Sequence, residues 1–176
     1  PEDAAYAARV IAAWASGYLD EDVRGEDVQD GEGVEVVETG LGKYQAMVVS
    51  GSHRLLADEP ESVGGLDSGP SPYDYLSAAL GACTVMTLRM YADRKGLSVD
   101  KIGTNVLHGK VHAADCEECS DDVKAKGGRI DRFERHISIE GDLDIDTRAR
   151  MMEIADKCPV HRTLEAGAAV VTKEKI

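Results

Sequence analysis

The sequence predicts an α+β fold with a mostly antiparallel sheet, and three features predict it. From Val34 the texture is that of strands, with two β-rich runs, GVEVVETG (Gly33–Gly40) and YQAMVVSG (Tyr44–Gly51), joined through a Gly40-Leu41-Gly42-Lys43 turn signal. From Gly69 to Gly96 runs one long stretch, GPSPYDYLSAALGACTVMTLRMYADRKG, in which Tyr75–Met90 is apolar or small almost without break. Beyond it the chain returns to β-like texture, then to a second helical pattern, then to β-branched residues. Strands, long helix, strands, helix, strand is the order of an α+β domain.

Each element has a local reason. Pro1–Leu19 reads as an amphipathic helix, with Tyr6, Val10, Trp14 and Tyr18 on one stripe and Glu2 and Asp3 in the first turn. Asp20–Gly33 is acidic and glycine-containing, so residues 1–33 read as an appended helix with its linker and residues 34–176 as the domain proper. His53–Ala57 is a third strand, and Asp58–Pro72 a loop rich in Gly, Pro and acids. Ser71 caps the long helix with Pro72 at its first position and Asp74 at its third, and Gly96 ends it behind Arg94 and Lys95. Leu76, Leu80, Cys83, Thr87 and Met90 share one face; Ala79, Met86 and Leu88 leave no wide polar face, so the helix is expected to be buried nearly all round. Val99–Val111 is β-like, Cys116–Gly128 reads as a loop, and Ile130–Glu140 alternates with Phe133, Ile137 and Ile139 inward and Arg132, Glu134 and His136 outward. Asp144–Lys157 is a helix expected to bury Ala149, Met152 and Ala155; Pro159 ends it just after Cys158. Ala168–Thr172 is expected to supply a last strand.

Composition narrows the function classes. The 176 residues carry 20 basic and 33 acidic side chains, a net charge of −13, which argues against nucleic acid or an anionic membrane as partner. The apolar run is shorter than the roughly 20 residues that span a bilayer, and no apolar targeting segment opens the chain. Four unevenly spaced cysteines do not read as a secreted disulfide scaffold, so a reducing cytoplasm is expected, where a cysteine pair is redox-active or metal-binding.

Four groups of residues can carry chemistry. Cys83 and Cys158 both belong to core helices far apart in sequence. A core cysteine is most often a small hydrophobe, yet Cys158-Pro159 at a helix end leaves its sulfur room to move, and both readings stay open here. Cys116-x-x-Cys119 follows His108 and His112, which share one face of a strand; two thiolates and two imidazoles suit zinc, but they crowd into one short segment. The favoured reading is an exposed loop whose thiols are made poorer nucleophiles by Asp115, Glu117 and Glu118. The Asp58–Ser68 loop lacks the ordered ligand spacing of a calcium loop and reads as solvated. Arg162, beside His161, is a cation able to hold a thiolate, or merely a surface charge near a helix end.

GPSPYDYLSAALGACT followed by IADKCPVHRTL resembles the two cysteine motifs of the OsmC/Ohr family, and the resemblance runs from about Val34 to the C-terminus. MTLRMYADRKG and HAADCEEC resemble an OsmC-like sub-type, and AAYAARVIAAWASGYL resembles the joint in proteins where an α/β-hydrolase domain precedes an OsmC-like one. The resemblance implies mostly antiparallel sheets wrapped around two central helices in an intertwined homodimer, and a thiol peroxidase acting on organic hydroperoxides or hydrogen peroxide without a cofactor. It implies Cys83 as the peroxidatic and Cys158 as the resolving thiol, recycled by an external dithiol. The family's Asn-Pro-Glu glutamate, which holds an arginine against the thiolate, is replaced by Ser71-Pro72-Tyr73. Asp74 is the nearest acid, and Arg54 and Arg162 are the candidates for the arginine. Two other functions compete with this one: a non-catalytic module partnering a hydrolase, and a metal-binding protein using Cys116, Cys119, His108 and His112.

Overall fold

The computed structural model describes residues 4, 10, 11, 33–117, 119 and 121–175. Ala4, Val10 and Ile11 are helical; the rest of the expected N-terminal helix and its acidic linker lies outside the described residues. The chain forms two compact units, Pro1–Tyr75 and Leu76–Ile176.

In the first unit β1 (Glu35–Glu38), β2 (Ala46–Ser50) and β3 (His53–Ala57) form an antiparallel meander in the order β1-β2-β3. Gly40, at φ +70°, takes the left-handed conformation that the β1–β2 turn needs. The loop after β3 is not simply solvated. Asp58 is buried, and its carboxylate accepts from the backbone N–H groups of Glu59, Leu66 and Ser68 and from the Ser68 hydroxyl. Ser68 accepts from the Gln45 amide, whose oxygen accepts from Thr39. Burial pushes the Asp58 pKa up, but the hydrogen bonds from Ser68, Glu59 and Leu66 together outweigh it and leave it below the ordinary carboxylate value. A carboxyl depressed in the folded state contributes stability that is full above its unfolded pKa and is lost as pH falls through the folded one. Asp58→Asn is therefore expected to cost about 2 kcal/mol at neutral pH. The gap in urea midpoint between wild type and variant should narrow between about pH 7 and about pH 3; a gap independent of pH contradicts this.

A long helix, α1 (Pro72–Lys95), begins at a reciprocal cap: Ser71 Oγ accepts from Asp74 N, and Asp74 accepts from the Ser71 N–H and hydroxyl. It ends in a Schellman turn, with Leu97 N donating to Ala92 O and Gly96 N to Asp93 O around Gly96 at φ +63°.

In the second unit, β4 (Val99–His112) and β5 (Arg129–Gly141) form one long antiparallel ribbon. Two short helices join them, η1 (Ala113–Asp115) and α2 (Asp121–Lys126), the latter inside the segment expected to be irregular. α3 (Ile145–Ala155) is capped by Asp144 accepting from Thr147 N, and α4 (Pro159–Ala166) follows directly. The core is Leu88 and Ala92 from α1, Val99 and Ile102 from β4, and Met151 and Ala155 from α3.

Three expectations are corrected. The buried stripe of α1 is Leu80, Gly81, Thr84, Leu88 and Ala92, not the face through Cys83 and Met90; within the chain Met86 and Met90 are 64% and 72% exposed. Gly81 explains the choice, since a Cβ there would meet the Thr104 and Val106 methyls at 3.3 Å, so only this face lets the helix approach β4. On α3 the buried residues are Met151 and Ala155, whereas Ala149 and Met152 are exposed. Ala168–Thr172 forms no strand: no described strand pairs with it, and Val170 stands 89% exposed. Among the described residues no helix is long and apolar enough to cross a membrane.

Candidate active site

Cys158 occupies the break between α3 and α4. Pro159 cannot continue α3, because it lacks the N–H and its ring clashes with the preceding turn, but it suits the first position of a new helix. Cys158 thereby becomes the N-cap of α4. Its sulfur accepts from His161 N at 3.3 Å, at a helix end whose dipole favours negative charge. The thiol is fully buried and free.

Thr84, on the buried stripe of α1, reaches the same sulfur. Its hydroxyl lies 3.8 Å from Cys158 Sγ and 2.7 Å from Leu80 O. Cys83, the residue before Thr84 in α1, is a free, half-buried thiol. These two cysteines, 75 positions apart in the chain, are the pair that the sequence motifs single out.

The cation of the site is Arg135, on β5. Nη1 donates to Thr84 Oγ1 and Ala155 O, both at 3.0 Å; Nη2 donates to Asp156 Oδ1 at 2.8 Å and to His161 Nδ1 at 3.0 Å. Its side chain is only 11% exposed. An arginine can only donate, so His161 Nδ1 is the acceptor and the ring proton of the neutral tautomer sits on Nε2, 3.5 Å from Glu165 Oε2. One guanidinium thus joins α1, the end of α3 and the first turn of α4 around the Cys158 sulfur.

Asp74 is committed to the α1 cap. Arg54 is exposed on β3 of the first unit, and Arg162 is exposed on α4, joined to Cys158 through its backbone N–H alone among the bonds described here. Arg135 was legible: it alternates with Phe133 and Ile137, so the strand period puts its charge on the inward face.

Cys116 and Cys119 are joined in a disulfide, and Cys116 is 6% exposed, not an open thiol in a solvated loop. His108 is held by Asp131 at 2.9 Å and lies against the Phe133 ring, while His112 is exposed at the end of β4. Among the described residues no group of three or more His, Cys, Asp or Glu side chains converges as a metal site.

Residues 65–173, well over half of the chain, match the family model for OsmC-like proteins. The chain belongs to the OsmC-like family. Its fold is shared with the OsmC-like protein of Mycoplasma pneumoniae, at 19% identity and TM-score 0.58, over 78% of this chain and 89% of that one. An organic hydroperoxide resistance protein of Legionella pneumophila is similar at 17% identity and TM-score 0.54, over 77% and 91%. Another, from Elizabethkingia anophelis, is similar at 20% identity and TM-score 0.53, over 77% and 91%. At these identities the likeness establishes the α+β fold. A comparison with curated proteins finds no match.

Proposed function

We propose that this OsmC-like protein is a thiol peroxidase that reduces organic hydroperoxides or hydrogen peroxide through Cys83 and Cys158. The observation that carries the reading is the Cys158 sulfur held at the N-terminus of α4, 3.3 Å from His161 N and 3.8 Å from the hydroxyl of Thr84, the residue that follows Cys83 in α1. The hydroperoxide resistance proteins among its structural neighbours support the same substrate class.

The Cys83 thiolate attacks the terminal peroxide oxygen. An S–O bond forms, the O–O bond breaks, and the alkoxide leaves and is protonated to the alcohol. Cys158 then attacks the Cys83 sulfur, and the sulfenic oxygen departs as water. An external dithiol returns two electrons to the disulfide. His161 N–H, the Thr84 hydroxyl and the Arg135 guanidinium bound to Thr84 and His161 supply the polar surroundings that a Cys158 thiolate needs for the second step. The chemistry requires no cofactor. Steady-state reduction of cumene hydroperoxide coupled to an external dithiol tests the assignment: turnover supports it, and persistence of the peroxide contradicts it.

The same reading makes the protein a homodimer. Leu76, Met86 and Met90 are 43%, 64% and 72% exposed on α1, an apolar face suited to a second copy of the chain. Replacing both Met86 and Met90 by Lys should convert a two-chain mass in analytical ultracentrifugation to one chain of 18.9 kDa. A one-chain mass for the wild type contradicts it.

A further inference from the structure

The peroxidase mechanism uses two of the four cysteines and leaves the Cys116–Cys119 disulfide without a task. That disulfide is not remote from the site. It lines one wall of a cavity of about 450 Å³, whose other walls include Phe133, Arg135, Met152 and Asp156. Arg135, paired with Asp156, also donates to Thr84 and to His161, the two residues whose polar groups approach the Cys158 sulfur, so the cavity and the thiol site have Arg135 in common. Arg135 reaches the Cys158 sulfur through one intermediate, the Thr84 hydroxyl.

Two further features bear on movement and direction. No residue of α4 is buried, so shifting this short helix exposes little apolar surface, and its N-cap Cys158 moves with it. The sequence neighbours of the disulfide are the exposed carboxylates Asp115 and Glu117, which oppose negative charge on its sulfurs. The Cys158 sulfur instead accepts from the His161 N–H at a helix N-terminus and lies 3.8 Å from the hydroxyl of Thr84, to which Arg135 donates. A pair whose reduced form is stabilised is the more oxidising one, so electrons run from the acid-flanked pair to the donor-flanked pair. Cys116 and Cys119 are bonded to each other, and Cys83 and Cys158 are free.

We propose that Cys116 and Cys119 form a second redox pair, which as a dithiol reduces the Cys83–Cys158 disulfide through Cys158 and is itself re-reduced by the external dithiol. The proposal rests on the peroxidase reading. The more accessible Cys119 thiolate attacks the Cys158 sulfur and Cys83 leaves as a thiolate. Cys116 then attacks Cys119 in the mixed disulfide, and Cys158 leaves. The exchange moves two electrons and two protons, and the Cys116–Cys119 bond replaces the Cys83–Cys158 bond.

The test is a titration of fully reduced protein, freed of reductant, with excess cumene hydroperoxide, followed by mass mapping of every cysteine. The wild type is expected to consume about two equivalents per chain, and the double variant Cys116→Ser/Cys119→Ser about one, because only the wild type can regenerate its first pair once. At one equivalent of peroxide, the wild-type disulfide should map to Cys116–Cys119. Cys83→Ser should consume none and keep Cys116 and Cys119 reduced. Cys116→Ser alone should trap a Cys119–Cys158 mixed disulfide, and circular dichroism confirms that each variant is folded. One equivalent consumed by the wild type, with Cys116 and Cys119 still thiols, overturns the relay and leaves the peroxidase standing. Oxidation of Cys116 and Cys119 in Cys83→Ser also overturns the relay, since the peroxide then reaches them directly. No consumption by the wild type removes the peroxidase reading and the relay with it.

Discussion

Cys83→Ser is expected to abolish turnover of cumene hydroperoxide, with a loss of at least about a thousandfold in rate, because a serine hydroxyl is a far poorer nucleophile and the other thiol, Cys158, is fully buried away from the peroxide. Stability should change little, since Cys83 is only half-buried and makes none of the core contacts that Leu88, Ala92 and Met151 make. Cys158→Ser differs in kind. The first step remains and one equivalent of sulfenic acid forms on Cys83, but the disulfide cannot close. A dimedone adduct on Cys83 in this variant, with multiple turnover lost, is the expected signature. Equal turnover in Cys83→Ser and wild type contradicts the assignment.

Arg135→Lys should have the second largest effect. The guanidinium makes four hydrogen bonds on three elements, and a lysine ammonium cannot reproduce that planar fork. Ala155 O and the Thr84 hydroxyl lose a donor in a buried setting, which costs about 3 kcal/mol. The loss of position at Cys158 should slow disulfide closure at least about tenfold. Arg135 is thus a positioning residue, and its effect separates from simple destabilisation. If the arginine only held the fold together, sulfenic acid formation and disulfide closure would fall in parallel. If it positions Cys158, closure falls more than formation, and the yield of dimedone-trapped Cys83 rises above wild type. A trapped yield unchanged from wild type, in a folded variant, contradicts the role.

The elements with strong local signals were legible in the sequence. The β1–β2 hairpin follows from its glycine turn, and α1 from an unbroken apolar run between a Ser-Pro-x-Asp cap and a basic C-terminus with glycine. Which face of α1 is buried was not legible. Nearly every position from Tyr75 to Met90 is apolar or small, so periodicity does not choose, and the close approach of Gly81 to Thr104 and Val106 decides. Composition likewise cannot tell a strand from exposed chain at Ala168–Thr172, where pairing depends on a partner strand.

At the site, Cys83 and Cys158 could be named from their motifs, but the cation could not be named from motif logic. The family pattern directs attention to the start of α1 and to Arg54 or Arg162, whereas Arg135 is placed by the register of β5 against β4. The pairing of Cys116 with Cys119 was obscured by the same ambiguity that makes such a spacing suit zinc, redox exchange or a plain loop. The turn that follows η1, in which Cys119 N donates to Cys116 O, brings the two cysteines together and their sulfurs are bonded.

The central claim is that Cys83 attacks a peroxide within a site completed by Cys158. The most direct measurement is mass spectrometry of reduced Cys158→Ser protein treated with stoichiometric cumene hydroperoxide in the presence of dimedone. The account predicts the dimedone adduct on Cys83 and on no other cysteine, with the peroxide converted to the alcohol. Cys83 remaining a free thiol while the peroxide persists would contradict it.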